Sequence, residues 1–542
     1  AQAILAQDER APRVAMALDR GRCAPLQDGR PGCPPQVKRR PAAERPAGGS
    51  ARGRRWGRLA AGFGGGLVLA SSRLELGTVS VAARPPGASS PGRCTTSRSA
   101  EPTWSPRHPP PRLPGPGDYL LLLHCGHSFS FACDGDQVLA VALEEFRSLA
   151  QLQRQRRVSE DDGEAKDPPA AAAVPLWPTA SPAPGGGTPP GRPQLWALEG
   201  AALQPAELRE AARRCVFLRA AYRPLAWGAT VAEAARAAKV AVAAWDEEKR
   251  ARTWALSHVR GVHHSARIGK AAALQGFAAA LEMLGRVCLE APQTQLAVLE
   301  EYDPEAKEHM SEEEAPPRRV WLLEVLGEKP RHWMKPYMLE SRPYLSQTTA
   351  RPEVAMLLAN LAQVRTGDRV LDPCCGSGGL LLVAAALGAA EVWGVDANPA
   401  ALESRRPAGP RTRREHNGRP AAGSLMGNFA ALGLPQPELE CGDALDPSLR
   451  AYERRYDVLL ADLPYGWREF AEHHSLRELA VGVLRVAAGV LRPGRRAVLT
   501  WPEQEAAGAA AEAAAAGLRV VALLGFDIHK QLRRRVLVVE RL

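Results

Sequence analysis

At 542 residues the chain is long enough for two or three domains with ample core. It holds no apolar run approaching the roughly 18 residues that a membrane-spanning helix requires. The net charge of +11 is lopsided: residues 1–117 carry 19 Lys/Arg against 7 Asp/Glu, a balance of +12, which leaves the rest of the chain at −1. Bulk charge therefore argues for no anionic partner of the main body, and any nucleic-acid surface there is a local patch.

Residues 1–116 are rich in Arg, Pro, Gly, Ser and Ala and poor in acid, and read as a low-complexity basic leader, disordered or transit-like. The expected location is the cytoplasm, with organelle import through the leader as the alternative; ten scattered cysteines fit a reducing compartment. No CxxC pair occurs, so neither a zinc ribbon nor a redox motif is written here. His124-Cys125-Gly126-His127 with Cys133 reads as a strand turning into a loop, and no metal site is expected.

From 117 to 330 the pattern is a small α+β region. Tyr119 to Cys125 and Ser128 to Ala132 read as strands, and Asp136 to Leu152 carries apolar residues at helical spacing. Residues 155–192 turn acidic and then Ala/Pro/Gly-rich, an insertion expected to be disordered. A strand over Gln194 to Glu199, a helix from Pro205 to Cys215 and a strand at Val216 to Ala221 follow. Residues 228–284 read as alanine-rich helices around a polar patch, Ser257 to Lys270. Its His258, His263 and His264, with nearby cations, suit either phosphate contact or a solvated loop. Arg286 to Glu290 and Val320 to Val325 read as strands flanking the acidic loop Asp303 to Glu314.

Regular helix–strand alternation begins at Tyr344 and favours a parallel sheet. Strands are expected at Arg369 to Asp372, Glu391 to Asp396, Leu439 to Asp443, Tyr456 to Asp462 and Ala497 to Trp501. Helices fall between them, with a Pro/Arg/Gly insertion over 405–423. The last two strands, Leu518 to Phe526 and Arg534 to Glu540, are joined too closely for a parallel crossover and read as antiparallel.

The chemistry concentrates at the strand ends. Asp372-Pro373-Cys374-Cys375-Gly376-Ser377-Gly378-Gly379 places a glycine turn between strand and helix, where backbone amides favour a ligand carboxylate. A dinucleotide fingerprint would want a third glycine where Leu381 stands. The leading acid, Asp372, suits a ligand carrying an ammonium better than one carrying a pyrophosphate. Asp396 closes the next strand, ready for ribose hydroxyls, and Asp443 the third, where an acid accepts from an adenine amino group. After the fourth comes Asp462-Leu463-Pro464-Tyr465. One carboxylate, one backbone carbonyl, a fixed turn and an aromatic face can hold a planar amine. Together these features point to methyl transfer from S-adenosylmethionine to an exocyclic amine.

These residues resemble the class I S-adenosylmethionine-dependent methyltransferases and, more narrowly, the tRNA (guanosine-10) N2-methyltransferase family. Tyr337, Leu339 and Arg342-Pro343-Tyr344-Leu345 look like that family's approach to its catalytic domain, as does Leu358-Ala359-Asn360-Leu361-Ala362. Gly285-Arg286-Val287, Leu289, Pro292 and Leu299-Glu300-Glu301-Tyr302 resemble its RNA-binding THUMP region. The resemblance covers residues 117–542 and implies a THUMP-like RNA-binding α+β region over 117–330 and a Rossmann-like methyltransferase domain over 337–542; the leader over 1–116 lies outside it. It implies an α/β mixed sheet with an antiparallel last strand. Cofactor-binding residues would be Asp372, Gly376, Gly378, Asp396 and Asp443, and catalytic ones Asp462, Leu463, Pro464 and Tyr465. The implied partners are tRNA and a small zinc-binding activator subunit. Two departures stand out. Leu463 replaces a common second proline, as in related THUMP-containing enzymes acting on other tRNA positions, and Cys374-Cys375 occupies the glycine turn.

Alternatives remain open at this level. N2-methylation of another tRNA guanosine, or adenine N6-methylation of nucleic acid, uses a similar planar nitrogen; so does a glutamine amide in protein. From another class, a non-catalytic tRNA-binding adaptor would show decay of Asp372, Asp396 or Asp462, and all three are intact.

Overall fold

The computed structural model describes residues 117–124, 135–160, 176–178, 193–198, 203–303, 309–311, 313–330, 334–345, 349–403, 424–464, 474–529 and 532–542. All of them fall in one unit, Pro106–Leu542. They build two seven-stranded sheets, one after the other in the chain.

The first sheet contains β1 (Tyr119–His124), β2 (Leu176–Pro178), β3 (Pro193–Leu198), β4 (Leu218–Gly228), β5 (Trp254–Val262), β6 (Thr294–Glu301) and β7 (Arg319–Glu328). Its order is β2-β3-β1-β4-β7-β6-β5, antiparallel throughout except for the parallel pair β5 and β6. Strand β1 is apolar at every position but its last because both of its faces are covered. Leu121 and Leu123 join one core, and Leu120 and Leu122 pack with Tyr222, Leu299 and Trp321 in another. The helices here are α1 (Gly135–Glu160), α2 (Pro205–Arg214), α3 (Val231–Ala243), α4 (Glu247–Ala251), α5 (Lys270–Gly276) and α6 (Ala278–Leu281).

Three readings of this region need correction. Helix α1 continues through Glu160, and Leu176–Pro178 is the edge strand β2, so part of the insertion expected to be disordered carries regular structure. The start of the polar patch, Ser257 to Val262, is not a loop between helices but part of β5, with His258 to Val262 paired to β6 after a register shift at Ser257. Ladder partners more than thirty residues away decide this, and no local periodicity announces them. The strand sought at Arg286 to Glu290 lies further on, at β6; only Val287 forms an isolated bridge, to Trp254. The strand expected at Ser128 to Ala132 lies outside the described residues.

The second sheet contains β8 (Arg369–Asp372), β9 (Glu391–Asp396), β10 (Glu438–Cys441), β11 (Tyr456–Ala461), β12 (Leu491–Trp501), β13 (Leu518–His529) and β14 (Leu532–Arg541). Its order is β10-β9-β8-β11-β12-β14-β13. The first five run parallel, and β14 enters antiparallel between β12 and β13. This is the class I methyltransferase fold, with the mixed sheet and antiparallel last strand that the sequence implies. Its helices are α7 (Pro352–Leu361), α8 (Gly379–Ala386), α9 (Pro399–Glu403), α10 (Leu425–Ala431), α11 (Leu476–Val490) and α12 (Ala509–Ala515). Every residue of the central β11 is buried, as a parallel strand covered on both faces requires. The order of strands reverses between β8 and β11, and the carboxyl ends flanking such a switch point form the crevice where α/β sheets bind ligands.

The two sheets share a hydrophobic core in which α1 and α2 meet α7. Polar groups fasten the same seam. Glu145, fully buried on α1, accepts from Cys215 Sγ (2.9 Å), the amides of Val216 and Phe217, and Asn360 Nδ2 at the end of α7 (2.6 Å). Arg214 donates to Asn360 Oδ1 at 2.6 Å and to the Val364 carbonyl at 2.7 Å. Gln363 takes a left-handed backbone (φ 59°), unfavourable for a residue with a side chain. Its amide holds that place by donating to the Ser148 carbonyl and Gln151 Oε1, each at 3.0 Å.

Candidate nucleoside and amine site

The glycine turn after β8 fixes the first part of the site. Asp372 is buried, and its Oδ1 accepts the Cys374 amide at 3.1 Å. The Cys375 amide donates to the Val395 carbonyl at 2.9 Å, tying the turn to β9. Gly376 and Gly378 both have positive φ (51° and 74°), and a Cβ on Gly378 would lie 2.9 Å from Leu425 Cγ. Glycine at 378 is therefore a requirement of both backbone and space.

Asp396 has a structural task besides the one expected of it. Its Oδ2 accepts the Gly376 amide at 2.7 Å and its Oδ1 the Asn398 amide at 2.9 Å, so this carboxylate clips the glycine turn to the end of β9. Asp443 is also engaged, accepting from the Leu445 amide at 2.9 Å and meeting His474 Nε2 at 2.7 Å. An adenine amino group would share this acid with the histidine. Nothing in the sequence pattern marks His474.

Asp462 leaves the end of β11 partly exposed, while Leu463 is buried. The Leu463 amide donates to Thr500 Oγ1 at 2.8 Å, which pins the turn to β12 from beneath. Thr500 is 2% exposed, and sequence reasoning missed it: one threonine in a strand carries no signal of its own. Pro464 follows, half-buried; Tyr465 lies outside the described residues.

Electrostatics show how tightly these acids gather. Burial pushes the Asp372 carboxyl well above the ordinary carboxylate range, with the charges of Asp396 and Asp462 adding to the shift. The Cys374 thiol is raised well above its usual value by burial first, and then by Asp372, Asp396, Asp443 and Asp462 together. The charges of four acids at the ends of four parallel strands thus all act on one side chain. Such a cluster favours a ligand bearing positive charge and several donors, and its acids can hold an ammonium, ribose hydroxyls and an amine. Cys375 fills the space beside Gly394, where a Cβ would come within 2.7 Å of its sulfur.

The polar patch does not join this site. His263 and His264 are buried, and Arg267 donates to the carbonyls of Ala315 (2.6 Å) and Met310 (2.7 Å), bracing loops internally.

A family model described as the RMKL-like methyltransferase domain matches residues 340–415. The tRNA (guanine(10)-N(2))-methyltransferase TRMT11 of Bos taurus is 29% identical over 212 residues, which is 38% of this chain and 44% of that one. Over this stretch the chain is similar to the tRNA guanosine-10 N2-methyltransferases. The same name belongs to the Saccharomyces cerevisiae relative, 28% identical over 187 residues (34% of this chain, 39% of that one). The tRNA (guanine(10)-N2)-dimethyltransferase of Methanothermobacter thermautotrophicus is 30% identical over 125 residues (23% and 30%). The chain spans less than half the length of these relatives.

Proposed function

We propose that this chain transfers a methyl group from S-adenosylmethionine to the exocyclic N2 of a guanosine in tRNA, at position 10. The observation that carries the reading is the placement of Asp372, Asp396, Asp443 and Asp462 at the carboxyl ends of four neighbouring parallel strands, around the switch point of the second sheet. The names of the relatives support the nucleic acid and the position. S-adenosylmethionine supplies the electrophilic methyl of its sulfonium. The chain's own residues do the rest. Asp372 holds the ammonium, and Asp396 the ribose hydroxyls, while keeping the glycine turn closed. The Asp462 carboxylate and the Leu463 carbonyl accept the two N–H groups of the base, so the nitrogen is oriented for in-line attack without a covalent enzyme intermediate. Asp462 takes the proton that the amine loses. Desolvation by the buried walls strengthens each of these contacts.

The base must leave its stack to reach the mouth of this sheet, and the first sheet is our candidate for the tRNA-holding region. A small zinc-binding activator subunit, implied by the resemblance, belongs to the same proposal. The test incubates the full chain, with and without such an activator, with tRNA and labelled S-adenosylmethionine, followed by digestion to nucleosides. Labelled N2-methylguanosine is expected, and mapping it names the position. Labelled N6-methyladenosine would replace guanine by adenine as the target. No label alongside retained tRNA binding would leave an adaptor.

A further inference from the structure

Arg342 is a buried cation whose two terminal nitrogens have no employment among the described residues. It follows the short 3-10 turn Leu339–Ser341 and is 4% exposed. Its Nε donates to the Tyr337 carbonyl at 3.2 Å. Nη1 and Nη2 are both buried and have no hydrogen-bond partner among the described residues. Burial pushes its pKa down to about 10, opposed by the charge of Glu353. A guanidinium drawn out of water with its fork empty is costly, and the cost is usually offset by an anion.

The fork reaches the start of helix α8. A Cβ built on Gly379 would lie 3.7 Å from Nη1, so this nitrogen sits beside the first residue of the helix. Gly378 caps α8 in a left-handed conformation and supplies no side-chain acceptor to its first amides. Those amides and the positive end of the helix are left to a ligand. Ser377 on the glycine turn meets Thr349, from the segment before α7, hydroxyl to hydroxyl at 2.8 Å. Two positive features therefore meet at the start of the helix that follows the glycine turn, where an anion fits.

We infer that Arg342 and the amino end of α8 form the seat for the carboxylate of the ligand's amino-acid end, its ammonium being left to the acids of the site. Arg342 is then a cofactor-binding residue supplied from outside the Rossmann-like strands, by the segment that leads into them. The planar fork suits a carboxylate bidentately, which a lysine cannot match. This inference rests on the S-adenosylmethionine reading above.

Isothermal titration of the full chain separates the two. S-adenosylhomocysteine carries the carboxylate, and 5′-methylthioadenosine is a nucleoside thioether without the amino-acid end. Arg342→Met is expected to lose about 10- to 100-fold in affinity for the first, as for a lost charged hydrogen bond, and to leave the second unchanged. Its melting temperature should hold or rise, since an unpaired buried charge has gone. Arg342→Lys should recover part of the affinity. Unchanged affinity for S-adenosylhomocysteine, or equal loss for both ligands, would overturn the inference. If the unaltered chain bound neither ligand, the cofactor reading itself would fall.

Discussion

Replacing Thr500 by valine tests whether the amine-binding turn is held from below. The substitution keeps the shape of the side chain and removes the hydroxyl that accepts the Leu463 amide at 2.8 Å. Both partners are buried, so the amide loses its acceptor where water cannot replace it. An orphaned buried donor costs about 1–3 kcal/mol, and the turn can avoid that only by shifting. Leu463 supplies the carbonyl proposed to hold the amine, and a displacement of ~1 Å at such a group costs about 10²-fold in rate. Two consequences are expected. Single-turnover methyl transfer should fall by roughly 10- to 100-fold, while affinity for S-adenosylhomocysteine, measured by titration, stays within about twofold. Thr500→Ser should restore most of the rate, because the hydroxyl returns. A valine variant that melts lower but turns over at the normal rate would refute the reasoning. The hydrogen bond would then support the sheet and not the chemistry.

Other substitutions separate the acids. Asp462→Ala should abolish transfer and leave cofactor affinity nearly intact; parallel loss of both would make it a structural residue. Asp396→Ala should weaken S-adenosylhomocysteine binding and lower the melting temperature as well, because the Gly376 and Asn398 amides lose their acceptor. Unchanged calorimetric affinity would remove the ribose assignment. Asp372 gives a pH signature. Its folded pKa lies well above the unfolded value of about 3.9, so its contribution to ligand-free stability is complete below that value and is lost as pH rises through the folded pKa. Asp372→Asn lacks this term, so its melting temperature relative to the unaltered chain should climb with pH from about 4 upward. A difference independent of pH would mean that the carboxyl is not raised.

The acids of the site were readable because each sits in a local unit, a short apolar strand followed at once by a turn. Burial on both faces makes a strand such as β11 continuously apolar, so its end is visible and the acid beyond it is conspicuous. The glycine turn is equally local: positive φ at Gly376 and Gly378 follows from which residue tolerates it. The parallel order of the first five strands followed from their spacing, since each connection has room for a crossover.

Pairing over distance was not readable. Ser257 to Val262 became a strand because β6 offers a ladder to it, and a polar, histidine-bearing sequence gives no hint of that. Leu532–Arg541 passes between β12 and β13 because it can pair with both, and local patterning does not fix a neighbour. Helix α1 shares its core with the methyltransferase sheet through Glu145 and Asn360, residues 215 apart in the chain. Thr500 and Arg342 are ordinary residues in sequence, one in a strand and one after a turn. Their meaning comes from what lies within hydrogen-bond reach or stays empty around them, because desolvation acts on neighbours in space. The sequence by itself determined which acids end which strands and so the kind of ligand they can hold. Only the tertiary structure decided that their charges act together on one cysteine, that the amine-holding turn rests on a threonine, and that a buried guanidinium waits beside the helix.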